Sequence, residues 1–284
     1  MILIADSGAT KTDWRVIDHL GKIHQAKTQG FNPVYQGFEQ IRDEINKNLL
    51  GQIEGLKIDR VFYYGAGCTG LENCEIINKA LAFSFPEAEI EINDDLLAAA
   101  RSLCDHEKGI ACILGTGSNS CLYDGKSIID HIPPLGYILG DEGSGAYLGK
   151  ILLRDFIRGS MPNKLRSKMK DKFNLDKAAI IDKVYNQDRP SRFVAGFAKF
   201  IFDNIRDPYA HQLVYNGFRD FFNSSILRYS DHQKIKVHFS GGIAFNFNNI
   251  LRQVAEENGV TVGNIAENPI AGLTLYHKEV NFDI

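Results

Sequence analysis

The chain has 284 residues, more than one ordinary core accommodates, and it suits two modest domains. Its 32 Lys+Arg stand against 35 Asp+Glu, and a net charge of −3 argues against a nucleic-acid backbone as the main partner. With 44% hydrophobic residues the sequence is a folding one, yet no apolar run approaches the roughly 20 residues that cross a bilayer.

The first residues, Met1-Ile2-Leu3-Ile4-Ala5, reach Asp6 without a basic leader, so a cytoplasmic protein is expected, with no membrane partner. Five cysteines, Cys68, Cys74, Cys104, Cys112 and Cys121, lack Cys-x-x-Cys spacing. They read as small buried hydrophobes rather than a disulfide frame or a zinc site.

In chain order, the pattern predicts strands over 3–5 and 14–18 joined by a small turn. Phe38, Ile41, Ile45 and Leu49 then fall at helical spacing. A strand over 61–64 ends in Gly65-Ala66-Gly67, and Ile76, Ile77 and Ala80 return to helical spacing. Ala88, Ile90 and Ile92 alternate with Glu89 and Glu91, the period of a half-buried strand. A second series opens with a strand over 110–114, a glycine-rich turn and a strand ending at Asp124-Gly125. From Ala146 to about Ile226 the pattern is mostly helical. Phe193, Phe197, Phe200 and Ile201 form one core stripe; Phe218, Phe221, Phe222 and Ile226 form another. The basic stretch 164–172 reads as a solvated helix face. A strand returns over 235–239, and Asn268-Pro269 reads as the N-cap and first-turn proline of the last helix. Strands alternating with helices make the class α/β.

The two halves open alike. Residues 3–14 and 111–122 each run strand, small hydroxyl-rich turn, strand, which suggests a duplicated domain. Turns of Gly, Ser and Thr expose backbone N–H groups with little side-chain bulk and suit phosphate oxygens. Gly8-Ala9-Thr10-Lys11-Thr12 is not a P-loop, because no second glycine stands directly before Lys11 and a strand follows where a helix would. Asp6, at a strand end, suits either magnesium or an Asx-turn. In Asn93-Asp94-Asp95, ahead of a helical run, one aspartate suits an N-cap and the other a general base. Gly140-Asp141-Glu142-Gly143-Ser144 precedes a helix, where capping and ligand contact are both open. Ser240-Gly241-Gly242 follows a strand and lets a flat ring approach the backbone.

This ordered set resembles the BadF/BadG/BcrA/BcrD-type ATPases, in particular their N-acetylglucosamine kinase branch in the sugar kinase/heat-shock protein 70/actin superfamily. Leu114-Gly115-Thr116-Gly117-Ser118-Asn119 and Gly140-Asp141-Glu142-Gly143-Ser144 carry it most specifically. The resemblance implies two ribonuclease H-like, actin-like ATPase domains with a cleft between them. They would span 1–106 and 107–267, with the last helix, 268–284, returning to the first. It implies ATP and Mg²⁺ as cofactors and an amino sugar as substrate, and a homodimer is the family-based expectation. Asp6 would lie near Mg²⁺. Gly8, Thr10, Lys11 and Thr12 match the first phosphate motif, Gly115, Thr116 and Gly117 the second, and Ser240, Gly241 and Gly242 the adenosine motif. Asn32, Asn119 and Asp141 match sugar-contacting positions, and Thr116 and Gly117 are expected beside the sugar as well. Asp95 is the favoured catalytic base and Asp94 the alternative. The implied reaction transfers the γ-phosphoryl of ATP to the 6-hydroxyl of N-acetylglucosamine or a related amino sugar. Two other readings stand beside it: an iron–sulfur ATPase that activates a 2-hydroxyacyl-CoA dehydratase, and a non-catalytic sugar sensor.

Overall fold

A computed structural model of the protein describes residues 1–8, 11–68 and 70–282, with side chains to residue 279. The chain divides into two compact units. The first comprises Met1–His106, Gly125–Ser127 and Asn268–Ile284; the second comprises Glu107–Asp124 and Ile128–Glu267.

The first unit is built on strands β1 (Ile2–Ser7), β2 (Lys11–Ile17), β3 (Ile23–Gln29), β4 (Arg60–Gly65) and β5 (Glu89–Asp94). Their order is β3-β2-β1-β4-β5. β1, β2 and β3 pair antiparallel, and β1, β4 and β5 pair parallel. Alternation along β1 sends its side chains to two faces. Leu3 and Ala5 join Trp14, Ile41, Ile45 and Ile77 in one core, under the helices Phe38–Glu44 and Leu71–Ser84. Ile2 and Ile4 join Phe62, Ala98 and Leu273 in another, under the helices Asp95–Cys104 and Ile270–Phe282. The first intrahelical bond of Ile270–Phe282 runs from Leu273 N–H to the Pro269 carbonyl, so Pro269 takes the cap position expected of Asn268.

The second unit repeats the plan with β6 (Gly109–Leu114), β7 (Ser118–Tyr123), β8 (Ile128–Ile132), β9 (Val237–Ser240) and β10 (Val262–Ala266). The order β10-β9-β6-β7-β8 is that of the first sheet read in reverse, again with an antiparallel hairpin meander and two parallel partners. The duplication expected from the two turns is therefore present in the topology of the whole sheets. The helices inserted between β8 and β9 bury Phe197, Phe200, Phe218, Phe221 and Phe222 in the core, as the aromatic stripes required. Among the described residues, no helix is long and apolar enough to cross a membrane.

Candidate active site

In the first unit the hairpin of β1 and β2 is closed by a 3.0 Å hydrogen bond from Gly8 N–H to the Lys11 carbonyl. Register sets Asp6 opposite Asp13. Two carboxylates at adjacent strand ends would repel, and Lys11 lies 2.8 Å from Asp13 with Lys27 at 3.8 Å. Burial pushes the Asp6 carboxyl up to about 7, with the charges of Asp13 and Asp95 adding to it. The same interaction brings Asp95, at the start of a helix following β5, into the neighbourhood of Asp6. Asp95 is itself pushed up to about 6, first by burial and then by Asp94.

The two adjacent aspartates differ in position. Asp94 is the N-cap of the helix Asp95–Cys104, and its Oδ1 accepts a 2.8 Å bond from Leu97 N–H. Asp95 sits at the first helical position, and its charge is one of those that raise the Asp6 carboxyl. Thr12 is fully buried, and its hydroxyl meets Ser7 Oγ at 2.8 Å and the Gln29 carbonyl at 3.1 Å. Its side chain therefore braces the hairpin from inside. Thr10 lies outside the described residues.

Asn32 follows β3 in a tight turn. Its carbonyl accepts from the N–H groups of Tyr35 and Gln36, each at 3.0 Å, and its Oδ1 accepts from Val34 N–H at 3.0 Å. With Oδ1 engaged, the side-chain NH₂ is the group left to donate.

In the second unit the turn between β6 and β7 is fastened to the helix Gly145–Arg158. Gly145 N–H bonds to the Gly115 carbonyl at 2.9 Å, and Ala146 N–H bonds to the Thr116 carbonyl at 3.0 Å. Ser144 caps that helix through a 3.1 Å bond from Tyr147 N–H. Asp141 has φ +58, a strained value for a residue with a β-carbon. Its carboxylate lies against Gly117, where an added β-carbon would stand 2.9 Å from Oδ2. Burial raises the Asp141 carboxyl above its ordinary range. Asn119 Oδ1 meets His131 Nε2 at 2.9 Å and accepts from Ser120 N–H at 2.9 Å.

Ser240 ends β9 in a buried position, and Gly241 follows with φ +113. A β-carbon on Gly241 would meet the Leu114 carbonyl oxygen at 2.4 Å, so this glycine lets the β9 turn close onto the end of β6. Gly115, Thr116 and Gly242 consequently line one cavity of about 550 Å³. Two motifs far apart in sequence meet there. Lys199, Phe202, Asn246 and Phe247 line it too, and sequence reasoning did not single them out. Phe202 carried a usable signal: it falls off the phase of the buried stripe and is 43% exposed.

No protein-family profile and no curated protein matches the chain. Solved structures do. A Porphyromonas gingivalis protein provisionally named an N-acetylglucosamine kinase is 41% identical, with all of both chains covered and a TM-score of 0.93. A Chromobacterium violaceum protein, likewise provisionally named an N-acetylglucosamine kinase, is 19% identical, with 97% of this chain and 98% of that one covered and a TM-score of 0.76. A glucokinase of the ROK family from Streptomyces griseus, solved with glucose and AMPPNP, is 16% identical, with 96% and 97% covered and a TM-score of 0.55. The latter two share the fold. Paired sheets of one topology, each opening with a Gly/Thr hairpin, are the two-domain actin-like ATPase architecture of these kinases. On full-length identity of 41%, the chain belongs to the family of the Porphyromonas gingivalis protein, within the sugar kinases of actin-like fold.

Proposed function

We propose that the protein transfers the γ-phosphoryl group of ATP to a hydroxyl, the 6-hydroxyl first, of N-acetylglucosamine or a related amino sugar, and that it is of the BadF/BadG/BcrA/BcrD type. The observation that carries the reading is the division between Asp94, bound to the helix it caps, and Asp95, whose carboxylate stands near Asp6. Asp95 orients the acceptor hydroxyl and takes its proton as the new P–O bond forms. A carboxyl held near 6 is ionised at neutral pH yet basic enough for that transfer.

Asp6 fits a magnesium ion. It offers hard oxygen donors, and burial beside like charges leaves it with a penalty that a divalent cation removes. The ion, when bound, supplies neutralisation of charge on the nucleotide phosphates. The backbone N–H groups of Thr116 and Gly117 suit phosphate oxygens, Gly8 leaves the first turn without a side chain in a phosphate's way, and Lys11, held by Asp13, adds a cation there. The 550 Å³ cavity beside Gly115, Thr116 and Gly242 suits the nucleoside, with Phe202 and Phe247 as apolar walls. Asn32 and Asp141 suit sugar hydroxyls or the acetamido group, one donating and the other accepting.

The iron–sulfur reading finds no support among the thiols. Cys68, Cys104, Cys112 and Cys121 are buried, and Cys112 and Cys121 lie inside the second sheet. A coupled ADP-release assay over N-acetylglucosamine, N-acetylmannosamine, glucosamine, N-acetylmuramic acid and glucose tests the proposal. Sugar-dependent ADP release with an N-acetylated sugar preferred is the expected result. No release with any of the five sinks it.

A further inference from the structure

The helix Asn163–Phe173 is unusually basic for a chain of net negative charge. Residues 163–177 hold six Lys and Arg against two Asp. Leu165 and Met169 bury one face of the helix, so the cations divide onto its two flanks. Lys164, Lys168 and Lys172 follow one flank at i, i+4, i+8. There Lys172 pairs with Asp203 at 3.0 Å and Lys168 donates to Asn204 at 3.0 Å.

The other flank is different. Arg166 and Lys170, one turn apart, line a cavity of about 480 Å³ together with Lys177 from the next helix. None of the three has an ion pair, side-chain hydrogen bond or ring contact among the described residues. The apolar side of the cavity is Phe156, Ile157 and Leu175, and Asn163 and Ser167 add polar groups. The Arg166 guanidinium lies beside Gly159, which caps the C-terminal end of the helix Gly145–Arg158. The negative end of that helix dipole holds it at the cavity's edge. The one carboxylate on the lining, Asp176, is engaged in capping and accepts from Ala179 N–H at 2.8 Å.

Like charges a turn apart on one flank oppose the helix that carries them, and a third cation beside them adds to the cost. The neighbouring flank shows that compensation was available within the fold. An arginine fork with two lysines matches a dianionic oxyanion better than a single carboxylate. We propose that this cavity binds a small phosphomonoester, its phosphate held by Arg166, Lys170 and Lys177 and its organic part against Phe156, Ile157 and Leu175. The site lies wholly within the second unit and does not depend on the kinase reading.

The test uses the full-length ¹⁵N-labelled protein saturated with AMPPNP and magnesium, so that the nucleotide turns are filled. Phenyl phosphate, inorganic phosphate and benzoate are titrated in parallel. Phenyl phosphate is expected to shift the amides of Ser167, Leu175 and Lys177 saturably, inorganic phosphate more weakly, and benzoate least. In Arg166→Ala/Lys170→Ala the affinity for phenyl phosphate should fall roughly tenfold or more, as loss of charge-assisted bonds requires. Lys164→Ala/Lys168→Ala, on the opposite flank, should bind as the wild type does. Both doubles change exposed side chains, and circular dichroism verifies their fold. No saturable shift at these amides overturns the proposal, as does equal affinity in the Arg166/Lys170 variant. Benzoate binding as tightly as phenyl phosphate overturns the ligand class.

Discussion

The side chain of Asp94 accepts a 2.8 Å hydrogen bond from the backbone N–H of Leu97, three residues on. That single bond separates two chemically identical neighbours. Asparagine caps a helix about as well as aspartate, so Asp94→Asn should keep the fold and stay within a few-fold of wild-type kcat. Asp95→Asn keeps the shape and removes the base. Its kcat should fall by about 10²–10⁴, with the sugar KM little changed. Steady-state kinetics on the two variants checks this; a larger loss in Asp94→Asn than in Asp95→Asn would reverse the assignment.

The pH dependence of stability has two opposing limbs. Asp6 stands at about 7 and Asp95 at about 6 in the folded chain, against an ordinary 3.8. The folded protein thus keeps protons that the unfolded chain releases, and this contribution is lost as pH rises from about 4 through 7. Buried His277 and His238 are pushed down to about 3 and 4 from 6.5. There the unfolded chain binds the protons, so the contribution is full above 6.5 and lost as pH falls towards 4 and 3. The two limbs overlap between about pH 4 and 7 and nearly cancel, so the melting temperature of the ligand-free protein should change little across that range. Asp6→Asn removes the larger aspartate contribution and leaves the histidines less opposed, so its melting temperature should rise from about pH 4 to 7 relative to the wild type, and magnesium with nucleotide should act in the same direction. A pH profile of Asp6→Asn parallel to that of the wild type would count against the Asp6 cluster.

What could be seen in the sequence follows from where burial is one-sided and where glycine interrupts it. β1 and β6 were legible because all but one residue of each is buried, and each ends in a small turn. β3 escaped because it is an edge strand in which only Ala26 and Thr28 are buried; β8 and β10, both edge strands, hide for the same reason. The roles of Asp94 and Asp95 could not be separated by spacing, since either could cap. Thr12 matches a phosphate motif by position, and spacing alone did not show that the register of β2 against β1 engages its hydroxyl with Ser7. Lys199, Asn246 and Phe247 belong to helices that only the folding of the second unit brings beside Gly115.

Two glycines should respond to alanine in different ways. At Gly117 the new β-carbon would stand 2.9 Å from Asp141 Oδ2, the movable end of a side chain. Gly117→Ala should leave the melting temperature nearly unchanged and raise the sugar KM roughly tenfold, about 1.4 kcal/mol of binding. At Gly241 the obstacle is the backbone oxygen of Leu114 at 2.4 Å, and φ is +113. Gly241→Ala should cost about 1–3 kcal/mol of stability or more and weaken nucleotide binding, because the β6 end that carries Gly115 must move. Thermal denaturation with separate ATP and sugar KM values distinguishes the two. A Gly117→Ala effect on the ATP KM alone would remove Asp141 from the sugar site.

A buried chain of hydrogen bonds ties the last helix to the one that Asp95 begins. Arg101 Nη1 donates to Tyr64 Oη at 2.6 Å and to Glu91 at 3.0 Å. Tyr64 has one proton, and with its oxygen accepting from Arg101 it donates that proton to His277 Nε2 at 2.8 Å. His277 is therefore the neutral Nδ1–H tautomer, consistent with its depressed pKa, and its ring stacks on Phe62 at 3.9 Å. Tyr64→Phe removes the shared hydroxyl from a fully buried site and should cost about 1–3 kcal/mol. His277→Phe keeps the stack on Phe62 but leaves the Tyr64 proton without its acceptor. Combined, the two changes remove both ends of that bond, so the double variant should lose less than the sum of the singles, by about 0.5–3 kcal/mol. Urea unfolding of the three variants measures the coupling. Strict additivity would mean that the Tyr64–His277 bond contributes nothing to holding the helix Ile270–Phe282 in place.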